Sequence, residues 1–99
     1  MGIDELTCAT FERLLDEVAT LESGPTAVPL RISAVQRLGC NRPGAPESFS
    51  VLFHAPAGAR LSQRIYAVQH PALGRVELFL VPLGPDARGM QLEAVFNFA

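Results

Sequence analysis

The chain has no lysine and no tryptophan, one tyrosine, two histidines and two cysteines in 99 residues. Cys8 and Cys40 stand far apart and outside any C-x-x-C pair, so zinc ligation and thioredoxin-like chemistry lack their usual spacing. They read as two reduced, partly buried thiols. No G-x-S-x-G surrounds Ser48, Ser50 or Ser62, so a serine nucleophile has no elbow, and the glycines form neither G-x-G-x-x-G nor a phosphate loop. No apolar run is long enough to span a bilayer, and no basic segment precedes an apolar one at the start. The expected compartment is therefore cytoplasmic, although signal-independent export leaves no trace in a sequence. With lysine missing, all eight cations are arginine, a pattern of coding bias rather than of bidentate recognition.

What remains is a small apolar-rich domain. A chain of 99 residues builds one core, so residues 1–99 are read as a single domain. An apolar content of 48% against 18% charged is far from the disordered class, and some of that surface is expected to serve a partner. The net charge of −2 argues against a dedicated nucleic-acid binder. Residues 1–22 carry six acids against Arg13, whereas residues 23–99 carry four acids against seven arginines. Such a split reads as the solvated face of one element, with head-to-tail self-association as the alternative.

Thr7 stands at an N-cap, and Phe11, Leu14, Leu15 and Val18 recur on one helical face. Periodicity would carry that helix to about residue 22, while Val18 to Leu21 also make a short strand before the turn at Ser23-Gly24-Pro25-Thr26. From Val28 the period changes to two: Val28, Leu30, Ile32 and Ala34 alternate inward, with Pro29 holding the start of the strand to a sheet edge. Leu38 to Glu47 reads as a loop. Four extended runs follow: Phe49 to Phe53, Leu61 to Val68, Arg75 to Val81 and Met90 to Asn97. Arg75 to Val81, apolar on both faces, is expected to be the most buried strand, and Pro82 to Gly89 a loop.

The runs Phe49-Ser50-Val51-Leu52-Phe53-His54-Ala55-Pro56, Leu61 to Tyr66, His70 to Gly74, Leu78 to Asp86 and Glu93 to Asn97 resemble a small bacterial domain family of unknown function. Genes of that family lie near those for phage-tail-collar-like, microcystin-dependent-type proteins. The resemblance implies a short helix ending near Leu15, a strand from about Glu17, an antiparallel sheet, and a role in assembling or accompanying a tail-fibre-like surface structure. It supplies no catalytic residues. Arg64 stands where the family tends to have glycine after the glutamine.

The expected architecture is mainly β (α+β): an N-terminal helix packed on a five- or six-stranded antiparallel meander curled into a partly open barrel. His54 and His70 fall at strand ends beside proline and read as capping side chains, and two imidazoles alone are thin for zinc even if Asp86 or Glu93 folds near. No catalytic, metal or cofactor residue is assigned. Arg60, Arg64, Tyr66 and Arg75 are the candidate partner-binding residues, because the arginines bracket two consecutive strands and are expected to share one rim. The leading function is a non-enzymatic interaction or assembly module for a protein partner, which the resemblance implies to be tail-collar-like, with self-association through a strand edge as one route. Two other readings stand beside it: a carrier whose interior is lined by Phe49, Phe53, Phe79 and Phe96, and an enzyme using His54 or His70.

Overall fold

Thr7 opens the first element by a reciprocal cap: its hydroxyl accepts from the Thr10 N–H, while the Thr10 hydroxyl accepts from the Thr7 N–H at 3.2 Å. The computed structural model describes residues 7–39, 43 and 47–96. Asp4, Glu5, Cys40 and Asn97 lie outside them, as does most of the expected 38–47 loop. The helix, α1, spans only Cys8–Glu12, shorter than periodicity predicted. Asp16 is the reason. Among the described residues it alone, glycines apart, adopts a positive φ, 70°, and it gives its N–H to the Ile32 carbonyl at 2.7 Å instead of continuing the helix. Phe11 and Leu14 are buried as their spacing requires, but Leu15 and Val18 face solvent.

Six strands follow: β1 Val18–Ser23, β2 Thr26–Gly39, β3 Ser48–Ala55, β4 Arg64–His70, β5 Gly74–Asp86 and β6 Gly89–Phe96. All pairs are antiparallel, and the order β1-β2-β3-β6-β5-β4 returns to β1, so the strands close into a ring. This corrects two expectations. The ring is closed rather than partly open, and it is not one continuous meander, because β3 pairs with β6 and not with β4. β2 and β5 also extend through residues expected to be loop.

The two long strands make the corners. β2 pairs with β1 up to Arg31 and with β3 from Arg31 onward, while β5 pairs with β4 up to Leu80 and with β6 from Val81 onward. Each therefore passes from one neighbouring strand to another, and each carries a register shift near the crossing, between Ile32 and Ala34 and between Pro82 and Gly84, with a second shift in β2 between Arg37 and Gly39. Pro29, Pro82 and Pro85 all sit in halves paired on one flank only, where a missing N–H costs no ladder bond. The bulge explains another miss. Beyond Ser33 the alternation of β2 reverses, so Ala34 is exposed and Val35 half-buried.

The topology repeats even though no stretch of sequence does. β1-β2-β3 and β4-β5-β6 are each a short, a long and a short strand, and the two units join through β1·β4 and β3·β6. Their interiors meet in one core. Phe11 from α1 lies 5.9 Å from Phe49, 6.4 Å from Phe53 and 5.3 Å from Phe96, and Phe49 stacks on Phe96 at 4.6 Å. The interior lining expected from four strand phenylalanines does not form as such: Phe11 joins three of them, and Phe79 stands outside, 51% exposed. β3, buried at every position but Leu52, is more enclosed than β5, whose Arg75, Glu77 and Phe79 all face water.

Candidate functional site

The structure separates the arginines that the sequence grouped. Arg64 pairs with Leu80 and Gln69 with Arg75, so Arg64 and Arg75 stand at opposite ends of the β4·β5 hairpin. The seven-residue extended strand Arg64–His70 separates the two ends, and that length forbids a shared rim. Arg60 borders a shallow surface cavity with Leu61, Ser62 and Met90. The Arg64 guanidinium lies over the Tyr66 ring, 5.3 Å from its centroid. Tyr66 itself is buried, and its hydroxyl donates to the Ser62 carbonyl at 2.8 Å. Arg75 donates through Nε to Glu22 at 3.2 Å. A hydrogen bond from Gln69, and then that from Arg75, hold the Glu22 carboxyl below the usual carboxylate range.

The same hairpin carries a feature that the sequence pointed away from. Ile65 and Phe79 are directly opposite in register, and both stand outward, 58% and 51% exposed. Leu83 on the β5 bulge and Val95 on β6 are also large, apolar and exposed. Two-faced apolarity in β5 was legible as complete burial. It is burial on one face and an apolar outer surface on the other.

His54 is the second locus. At the end of β3 it is buried, with Nδ1 2.6 Å from the Ser33 hydroxyl and Nε2 2.9 Å from the Asp86 carboxylate. A carboxylate can only accept, so Nε2 carries the proton, and in the neutral imidazole Nδ1 accepts from Ser33. Asp86 also accepts from the Arg88 N–H at 2.8 Å, and the His54 bond foremost holds its carboxyl below the usual range. Two backbone irregularities bring these groups together. The β2 bulge gives Ser33 its position. On β6, Gly89 has φ 134°, and a Cβ there would stand 2.2 Å from the Ala55 carbonyl oxygen, so only glycine lets the hairpin tip with Asp86 lie against the end of β3.

Serine, imidazole and carboxylate in series is the order of an acyl-transfer relay. Ser33, however, does not line the cavity that His54 borders. In this geometry the chain of bonds ties β2, β3 and β5 together. The bordering cavity, about 440 Å³, is an open groove on the outer side of β1, β2 and β3. Val18, Arg31 and His54 cross it in one register row, Asp16 stands at one side, and Pro56 and Arg88 are among its other lining residues.

His70 repeats the pattern on a smaller scale. Its Nδ1 accepts from the Ala72 N–H at 3.0 Å, the capping role its His-Pro context predicted, and Nε2 donates to Glu17 at 2.8 Å. The two imidazoles do not meet, because β3 and β4 are not neighbours. Asp86 does come to His54, but no group of three or more His, Cys, Asp or Glu suited to a metal ion forms among the described residues. Cys8 is a free thiol, and burial pushes its pKa up. No helix is long and apolar enough to cross a membrane among the described residues.

Comparison with curated proteins and with solved structures finds no match. The family described as Domain of unknown function (DUF6916) matches residues 6–96, a span that takes in α1 and all six strands. The chain belongs to that family.

Proposed function

We propose that this domain is a non-enzymatic interaction module that docks a partner protein on the outer face of β4 and β5. The observation that carries the reading is the cross-strand pair Ile65 and Phe79, both more than half exposed. Full burial of either side chain is worth about 1.5–3 kcal/mol, so roughly half of that is forgone at each position while the face is uncovered. Along the hairpin the pair gives way to Ala67 opposite Glu77 and then to Gln69 opposite Arg75. An apolar centre beside a polar margin is the make-up of a protein-binding surface rather than of a solubilising one. The partner class is a tail-collar-like surface or fibre protein, by the family resemblance of the strand motifs. A second copy of the chain is the competing occupant.

The edge-pairing route is narrower than a free sheet would offer, because β1, β3, β4 and β6 each have a neighbour on both sides over part of their length and open flanks run only along the two long strands, β2 and β5, which are paired on one side at a time. Docking therefore relies on side chains. A photo-reactive residue at position 79, compared with one at the exposed Thr20 on β1, tests the reading in cells that carry the native partner. A discrete heterologous adduct from position 79 and none from position 20 supports it. Equal labelling from both, or an adduct only with a second copy, refutes a dedicated partner face.

A further inference from the structure

We infer that the groove beside His54 binds a carboxylate carried on an apolar body, with Arg31 and Arg88 as the receiving cations. Neither arginine has a carboxylate partner among the described residues, a state they share with Arg13, Arg60 and Arg64, whereas Arg37 bonds Glu12 and Glu47 and Arg75 bonds Glu22. Both line the same groove.

Arg31 is fixed in place. Its Nη1 donates to the Asp16 carbonyl at 3.2 Å, and that carbonyl belongs to the residue held at positive φ by its bond to Ile32. One donor is used, and the rest of the guanidinium fork is left for a ligand oxygen pair. Arg88 stands in the two-residue turn between β5 and β6, and Asp86 fixes that turn by accepting the Arg88 N–H while it holds His54. The Asp86 carboxylate, the negative group nearest the turn, is thus engaged by His54. Asp16 contributes one acid to the lining against two arginines, so the balance is cationic.

The remaining lining is apolar: Val18, Pro29, Ala55 and Pro56. A volume of about 440 Å³ falls within the range of small-molecule sites. Phosphate alone would use the cations and leave this apolar lining wet. A carboxylate with four to six carbons behind it uses both, and it has two sources: a free organic acid or the C-terminal residue of a peptide. The inference does not depend on the outer-face reading, since β4 contributes nothing to the groove.

The test is an amide NMR titration of the full chain with hexanoate, N-acetyl-leucine, N-acetyl-leucinamide, inorganic phosphate and a pentapeptide ending in a free leucine carboxylate. Saturable shifts at Val18, Arg31, Ala55 and Arg88 with both hexanoate and N-acetyl-leucine, at least tenfold weaker with the amide and with phosphate, are expected. Arg88→Gln lies in an exposed turn, keeps the fold, and should weaken binding about tenfold, as the loss of one charge-assisted hydrogen bond does. A pentapeptide much tighter than N-acetyl-leucine assigns the groove to a protein terminus, and equal affinity assigns it to a free acid. Absence of saturation by about 50 mM, phosphate binding as tightly as hexanoate, or unchanged affinity in Arg88→Gln overturns the inference.

Discussion

His54 and Asp86 are joined at 2.9 Å although β6 lies between their strands. Gly89, the register partner of Asp86, has no Cβ to meet the Ala55 carbonyl, and the bond ties the tip of one three-stranded unit to the end of the other. A charge-assisted bond between the two units of a repeated topology gives the fold a pH dependence that can be measured.

Asp86 has a folded-state pKa below its ordinary value, with the His54 bond as the first cause. A depressed carboxyl contributes stability that is fully present above the unfolded pKa, near 4, and is lost as pH falls through the folded value. Urea unfolding followed from pH 6 down to pH 2 should show this acid limb in the wild type and a shallower one in Asp86→Asn. Parallel limbs in the two proteins would show that the carboxylate is not held by His54.

Gly89→Ala tests the same junction sterically. The added Cβ meets the Ala55 carbonyl oxygen at 2.2 Å, and φ of 134° is itself unfavourable for alanine. Destabilisation of about 2–3 kcal/mol or more is expected in denaturant melts, from strain of this kind together with backbone displacement. Gly24→Ala is the control, since a Cβ there meets nothing within 4 Å and only its φ of 60° is strained. It should cost about 1 kcal/mol.

Phe11 is the helix's contribution to the core. It is fully buried against Phe49, Phe53 and Phe96, so Phe11→Ala removes a ring from a packed aromatic cluster. A loss of about 3–5 kcal/mol is expected. Because α1 is only five residues long and has little stability of its own, its far-ultraviolet signal and near-ultraviolet aromatic signal should be lost together.

The outer face behaves in the opposite way. Ile65→Ser and Phe79→Ser remove apolar surface that the isolated domain does not bury, and each should change the unfolding free energy by no more than about 1 kcal/mol. Both should raise the concentration at which the protein stays monomeric and unaggregated in light scattering. A large stability loss at Phe79 would mean that the ring is packed within the monomer.

Much of the fold is legible because strand alternation is a local property. Phe49, Val51 and Phe53, and Leu92, Ala94 and Phe96, all point inward as their spacing says. What escaped is non-local. Whether β3 pairs with β4 or with β6 depends on a crossing by residues 56–63 that has no periodicity to read. The bulge at Ser33 reverses a face of β2 without a glycine to announce it. The helix ended early through one bond from Asp16 to Ile32, which joins residues far apart in sequence. The His54 pair is half visible in the sequence, where Asp86 is one of two carboxylates within reach of folding, but Ser33 carries no motif. The outer face was misread because an apolar residue meant for a partner and one meant for the core look alike in a single sequence.

The measurement that bears most directly on the docking reading is the affinity of the photo-captured partner for the wild type and for the Ile65→Ser, Phe79→Ser double variant, each verified as folded. Loss of about a hundredfold in Kd or more, equivalent to about 3 kcal/mol and in keeping with two central apolar contacts, is the predicted result. An unchanged Kd in a folded double variant would contradict the account and place the partner elsewhere on the ring.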